Sequence, residues 1–432
     1  MKLAWLSNRP DANSGYGTQT RQVARRLLAD GHALEFLTND GTRIEYEWEG
    51  QPVRASGMQR FSQDTIRRDF EESGAEWLVS LYDAWVYTGR DDPFAGMTNV
   101  AGWMPVDCNP VPPTVIPWAR SHRVIAMSQY GRDQLEGLSA ALIEAGQPGF
   151  PVMYAPHAVD RAVMHPVDGS AFREAHQIPA DVFLVGIVAA NVGTKYYDRK
   201  GFGDMFTALG LFLRNNPAAH AYIHSHPTGH ESIDLRVLSE VTGLPPERVH
   251  WADAHRYVKG QYSDAEMAEA YSAFDVLLFP SRGEGFGVPA IEALACGTPV
   301  IASNWTAQAE ILGHPYDIER AGFERYPHGW LVSVMVDYDP HQAAYRGKPD
   351  LDEISQALRE ARAVWSDPEL RADVSAACVE RSALWDADTV YADYWRPIIA
   401  QLAATRLPEP VQIPVNRQAR RQMEREKARA SA

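Results

Sequence analysis

The sequence predicts an α/β protein of two Rossmann-like domains, each a parallel sheet covered by helices. Three observations carry this prediction. Short apolar runs alternate with amphipathic helical segments, the pattern of parallel strands joined by helical crossovers. That alternation pauses near residues 157–168 and restarts with the continuous apolar run 181–189. Finally, 432 residues exceed what one hydrophobic core usually supports.

Residues 2–7 read as a strand ending in the polar loop 8–17. A helix follows, with Thr20, Val23, Ala24, Leu27 and Leu28 at helical spacing and Gly31 as its stop. Residues 33–37 form the next strand. A hairpin is expected over 42–53, because Ile44, Tyr46 and Trp48 alternate ahead of the turn pair Glu49-Gly50. Strands at 77–81, 100–105 and 123–126, a helix at 130–145 and a strand at 152–155 complete the first unit. The second unit opens with strand 181–189. Helix 201–215 follows, with Phe202, Met205, Phe206, Leu209 and Phe212 inward. Then come strand 219–224, helices 235–242 and 263–274, strand 275–279, helix 288–295, strand 299–302, and helices 350–365, 368–384 and 388–404. The expected division is an N-terminal domain over 1–157, completed by a helix over 388–408, a C-terminal domain over 158–387, and a basic tail over 409–432.

Composition narrows the function. With 45% hydrophobic and 22% charged residues the chain is ordinarily globular. It has no apolar run of 18 residues, so no transmembrane segment is expected. The opening apolar stretch 3–6 is too short for a secretory leader, and three widely spaced cysteines fit a reduced, cytoplasmic setting. The net charge of −15 becomes −19 once the +4 of residues 411–432 is set aside. A body that acidic repels a nucleic-acid backbone. The tail reads as a solvated end able to touch an acidic partner.

The stretch 275–301, DVLLFPSRGEGFGVPAIEALACGTPVI, carries the most chemistry. It reads as strand, glycine-rich loop, helix, turn and strand. Gly283, Gly285 and Gly287 are expected to free the loop for positive φ and to bring backbone amides close to a ligand. Pro289 suits the first helical turn and Gly297 the position just past the end. A loop of amides entering a helix N-terminus is an anion site suited to a diphosphate. Glu284 and Glu292 flank it, and carboxylates there call for hydroxyl groups to accept from. Phosphate on amides with hydroxyls on carboxylates describes a nucleotide sugar.

The spacing Glu284-x7-Glu292 within R-G-E-G-F-G-V-P-A-I-E-A-L-A-C-G-T-P resembles the hallmark of the retaining GT-B glycosyltransferases of family 4, the group 1 type. The resemblance implies two Rossmann-like domains facing a central cleft, with the last long helix crossing back to the N-terminal domain. It implies a hexosyl-type transfer from a UDP or GDP sugar to an acceptor hydroxyl, with retention. It further implies that Glu284 contacts the sugar and Glu292 the ribose, beside Gly285, Phe286 and Gly287. Arg199-Lys200-Gly201 resembles the basic site for the donor diphosphate. The arginine common earlier in the family is missing, which passes its place to Asn191 or Lys195. Gly15-Tyr16-Gly17 resembles the N-terminal glycine turn near the donor. Where the family often has a histidine after an N-domain strand, this chain has Asp107. His157, in Y-A-P-H-A-V-D, falls in the interdomain segment. The acceptor stays open: a small molecule, a lipid, a protein or a modified nucleobase. No cofactor and no obligatory metal is implied.

Two other chemistries compete, and a nucleotide-sugar-binding scaffold without activity is a third reading. Ser14 to Thr20 approaches a dinucleotide fingerprint, with Thr20 in the third glycine's place and Glu35 as ribose ligand, which would make an NAD-dependent oxidoreductase. His220, His224, His226 and His230 cluster in sequence, but no carboxylate interleaves to make a metal site. Asp337-Tyr338-Asp339 and Asp386-Ala387-Asp388 match a metal-binding DxD only in letters.

Overall fold

The computed structural model describes residues 1–83, 86, 92–192, 197–229, 231–314, 322–340 and 342–405. Among these, eight strands form a first sheet: β1 (Lys2–Ser7), β2 (Ala33–Thr38), β3 (Tyr46–Trp48), β4 (Gln51–Arg54), β5 (Trp77–Leu81), β6 (Val100–Met104), β7 (Arg123–Ala126) and β8 (Val152–Tyr154). Their order is β3-β4-β2-β1-β5-β6-β7-β8. The second sheet holds β9 (Phe183–Val188), β10 (Ala219–His224), β11 (Val249–Trp251), β12 (Val276–Phe279), β13 (Val300–Ser303), β14 (Glu324–Tyr326) and β15 (Gly329–Val332). Here the order is β11-β10-β9-β12-β13-β15-β14. Pairing is parallel except at the outer pairs β3–β4 and β14–β15.

Both sheets are doubly wound. The chain leaves β1 toward β2 and later returns to add β5 on the other side of β1. It repeats this at β9, with β10 on one side and β12 on the other. Side chains of the central strands alternate between separate cores. Leu3 and Trp5 face one cluster, while Ala4 and Leu6 face another. Phe183, Val185 and Ile187 oppose Leu184 and Val188 in the same way. Burial on both faces is why these strands read as unbroken apolar runs. The expected hairpin is present, because Glu49 (φ 49°) and Gly50 (φ 74°) both adopt the left-handed conformation of a type I′ turn.

The C-terminal segment crosses back as expected, though not as one uniform helix. Helix Ala387–Val390 runs into a π-helical turn over Tyr391–Trp395 and then helix Arg396–Ala404. Pro397 has no N–H to give to the turn before it, and the widened turn absorbs that loss. Trp395 is fully buried against Trp5 (ring centroids 5.4 Å apart) and Trp103 (4.8 Å), both from the first sheet. The Arg396 guanidinium and the Tyr391 hydroxyl both donate to Asp30 at 2.9 Å.

Several elements stand outside the sequence-based expectations, among them β11, β14 and β15, and one of them bears on the site. Strands β16 (Val334–Asp339) and β17 (Ala344–Pro349) form an antiparallel hairpin after the second sheet. Tyr345 exchanges backbone hydrogen bonds of 2.7 and 3.0 Å with Asn109, tying the hairpin to the first unit. The basic tail over 409–432 lies outside the described residues.

Candidate active site

In a doubly wound sheet, ligands bind beyond the carboxyl ends of the strands where the winding reverses. Here both reversal points open into one cleft of about 620 Å³ between the two sheets. The end of β1 leads to the helix Gly15–Ala29, and the end of β5 to Asp83. The end of β6 leads to Pro105 and Asp107, that of β9 to Ala189 and Ala190, and that of β12 to the loop 280–287. A larger hollow of about 810 Å³ lies by Asp275 and Thr298, at the opposite, amino ends of β12 and β13, where this rule places no ligand.

Glu284, only 7% exposed, accepts hydrogen bonds from the Lys200 ammonium at 2.7 and 3.0 Å. Arg199 stands 3.5 Å from both Glu284 and Asp107, and donates to the Gly283 carbonyl at 2.9 Å. Burial pushes the Glu284 carboxyl up, but Lys200 and then Arg199 outweigh it and hold the group below the ordinary glutamate range. Arg346, on β17, is 2.8 Å from the Asp107 carbonyl and 3.2 Å from its carboxylate. The second contact, with that of Arg199, keeps Asp107 below its usual range against the pull of burial. The Arg346 guanidinium is itself held by Asp339 at 2.8 Å.

Helix Val288–Ala295 begins at the cleft with no side-chain cap and no acidic residue in its first turn. Pro289 has no N–H and the Ala290 amide donates to the Gly287 carbonyl at 2.9 Å, so the entrance offers an anion the helix dipole rather than a row of free amides. Glu292 lies one turn further in, accepting from the Tyr271 hydroxyl at 2.8 Å. Burial pushes its carboxyl up to about 7, with only partial relief from Tyr271.

The glycine-rich loop differs from the expectation in a telling way. Only Gly287 has a positive φ (114°). Gly283 and Gly285 are required by contact instead. A Cβ on Gly283 would strike the Asp107 carbonyl oxygen, and one on Gly285 would strike Pro105, both from the first unit. The Glu284 amide is also engaged, donating to the Thr306 hydroxyl at 3.1 Å.

Other expected site residues divide. Gly15, Asp107, Arg199, Lys200, Glu284, Gly285, Phe286, Gly287 and Glu292 all line the cleft. Gly17 does not: it packs against Ala12, and its amide is capped by Ser14 at 3.1 Å. Asn191 is likewise turned to structure, because its side-chain amide donates to the His226 and Ile233 carbonyls at 3.0 and 2.8 Å. Lys195 lies outside the described residues. His157 lines the cleft, and neither ring nitrogen has a hydrogen-bond partner; burial pushes its pKa down to about 3.

The dinucleotide reading loses its residues. Thr20 accepts from the Trp5 indole at 3.1 Å, and Glu35 is buried between Lys2 (2.9 Å) and Arg54 (2.7 Å). The histidines also part company. The His220 ring pairs with His250 at 3.0 Å, whereas His224 sits among tyrosine rings at the cleft. His230 lies outside the described residues. Asp337 binds Tyr197 and Asp339 binds Arg346, while Asp386 caps the helix that follows it. Sequence reasoning missed Asp83, Tyr271 and Arg346. Asp83 had a signal, since it follows an apolar strand just as Asp107 does. Arg346, 239 positions from its partner Asp107, had none.

Two doubly wound sheets facing one cleft, with a cationic pair and an uncapped helix entrance on the second, define the GT-B architecture. Sucrose-phosphate synthase from Thermosynechococcus elongatus shares this fold at a TM-score of 0.67 and 17% identity, over 94% of this chain and 100% of that one. Anabaena Alr3699/HepE in complex with UDP-glucose shares it at 0.64 and 15%, over 93% and 100%. Residues 188–328 match the family described as glycosyl transferases group 1, the likeness that the glutamate motif implied. D-inositol 3-phosphate glycosyltransferase from Actinosynnema mirum is 30% identical over 186 residues, 43% of this chain and 42% of that protein. O-antigen chain mannosyltransferase B from Escherichia coli is 41% identical over 58 residues, 13% of this chain and 15% of that protein. The match to the first of these thus spans about two fifths of that relative's length.

Proposed function

We propose that this protein transfers a hexose from a nucleoside diphosphate sugar, UDP- or GDP-linked, to an acceptor hydroxyl with retention of configuration. The observation that carries the reading is the cluster Arg199, Lys200 and Glu284 at the uncapped start of helix Val288–Ala295, inside the cleft between the sheets. A diphosphate entering there meets two cations and a helix dipole, which together stabilise the charge that grows as it departs. Lys200 exchanges Glu284 for phosphate, and the released carboxylate accepts from sugar hydroxyls. Glu292 takes the ribose. The departing phosphate oxygen receives the acceptor proton while the new bond forms on the same face. Contact of Gly283 and Gly285 with residues 105–107 closes the site against water.

The reading is tested by thermal shift with UDP, GDP and NAD, followed by incubation with a panel of nucleotide sugars and identification of the nucleotide released. Stabilisation by NAD alone would return the oxidoreductase. Binding of a nucleoside diphosphate sugar with neither hydrolysis nor transfer would leave an inactive scaffold.

Two further outcomes are expected. Lys200→Ala should weaken nucleoside diphosphate binding by one to two decades, the worth of a charge-assisted contact of about 1.5–3 kcal/mol, and leave the bare nucleoside almost unaffected. Equal losses for both ligands in calorimetry would displace Lys200 from the phosphate site. Glu292 accepts ribose hydroxyls best when ionised, and its carboxyl is pushed up to about 7. Nucleoside affinity should therefore rise from pH 6 to pH 8, and Glu292→Gln should flatten that rise. A flat profile in the unaltered protein would separate Glu292 from the ribose.

A further inference from the structure

The two walls of the cleft differ in charge. The second unit sets Arg199 and Lys200 among Asp264, Glu284 and Glu292. The first unit supplies Asn8, Asn13, Tyr16, Asp83 and Asp107, and among the described residues no lysine or arginine of this unit lines the cleft. Asp107 is paired with Arg346 and Arg199. Asp83 receives only the Tyr16 hydroxyl, at 3.4 Å, and has no basic side chain within 4 Å among the described residues. Burial, with Asp107 nearby, pushes its carboxyl up to about 6, so at neutral pH it is mostly ionised.

A half-buried carboxylate with one long hydrogen bond has unused acceptor capacity facing the cleft. It also sets a like charge against any anionic group on that wall. Resting on the transferase reading, we infer that Asp83 is the residue that positions the acceptor, and that the acceptor presents it with a hydroxyl or ammonium donor and carries no phosphate at the site. Asp83 orients the reacting hydroxyl toward the sugar held by Glu284, and the negative wall turns phosphorylated analogues away.

The test uses the full chain and the nucleotide sugar identified by the panel, labelled in its sugar. A whole-cell extract of the source organism is divided on an anion-exchange resin at pH 7, and each fraction is offered as acceptor. Label should enter the unretained fraction, and a second passage over a cation exchanger then tells ammonium-bearing from neutral acceptors. With the unretained acceptor, Asp83→Asn should lower kcat/KM at least tenfold, mostly through KM. The rise in Tm given by the nucleoside diphosphate should be unchanged, which shows that the variant is folded. Label confined to the retained fraction, where phosphorylated compounds and nucleic acids collect, overturns the inference and leaves the transferase reading standing. So does an Asp83→Asn variant with unaltered KM. Label in neither fraction, with the nucleotide still bound, removes the transferase reading and the inference with it.

Discussion

Glu284→Gln is expected to lower turnover by roughly 100-fold or more, comparable to losing one preorganised group at a reacting centre. The same change should leave nucleoside diphosphate binding intact or tighter. The Lys200 ammonium is bound to Glu284 by two short hydrogen bonds, and phosphate must displace that carboxylate. Glutamine fills the same space but has no charge to compete with phosphate. Turnover therefore falls with no loss of nucleotide binding, which a folding defect cannot imitate. Single-turnover rates at saturating donor, with calorimetry of the free nucleotide, separate them. Unchanged turnover would detach Glu284 from the sugar.

Trp395→Ala is expected to destabilise the protein by about 3–5 kcal/mol, the usual cost of deleting a large buried aromatic side chain. The ring fills the space between Trp5 and Trp103 and is fully buried, so little can move in to replace it. Tm should fall by on the order of 10 °C. Asp393→Ala, two residues earlier on an exposed position, should change stability by less than about 0.5 kcal/mol. Similar melting curves for the two variants would mean that the C-terminal segment is not part of the first unit's core.

The architecture was readable because central parallel strands are buried on both faces and so appear as uninterrupted apolar runs. Residues 181–189 announced β9 for this reason, the glycine loop followed from its place between strand and helix, and Asp107 followed from the family resemblance. What could not be read was contact between distant segments. The sequence suggests that Gly283 and Gly285 serve the loop's own conformation. In the structure they serve the approach of residues 105–107, a neighbour that local pattern cannot reveal. Asn191 is a similar case. A polar residue after a strand is a fair ligand by position, yet its amide is engaged by the loop carbonyls of His226 and Ile233. The hairpin β16–β17 did leave a trace, in the alternation of Val334, Val336 and Tyr338. Its function as the carrier of Arg346 left none, because the partner lies in the other unit.

The position of Trp395 also has a consequence for how the chain is made. Trp5 and Trp103 belong to the earliest part of the polypeptide, but the side chain that covers them is encoded 292 residues after Trp103. At about 5–20 residues per second, a ribosome needs roughly 15–60 seconds to span that interval. Throughout it, the nascent first sheet lacks the side chain that packs between its two indoles. The second unit can complete its own sheet in that time, since all its strands precede Trp395. Assembly therefore runs out of order along the chain, with the middle maturing before the beginning, and chaperones that hold exposed aromatic surface have their longest access to the N-terminal sheet.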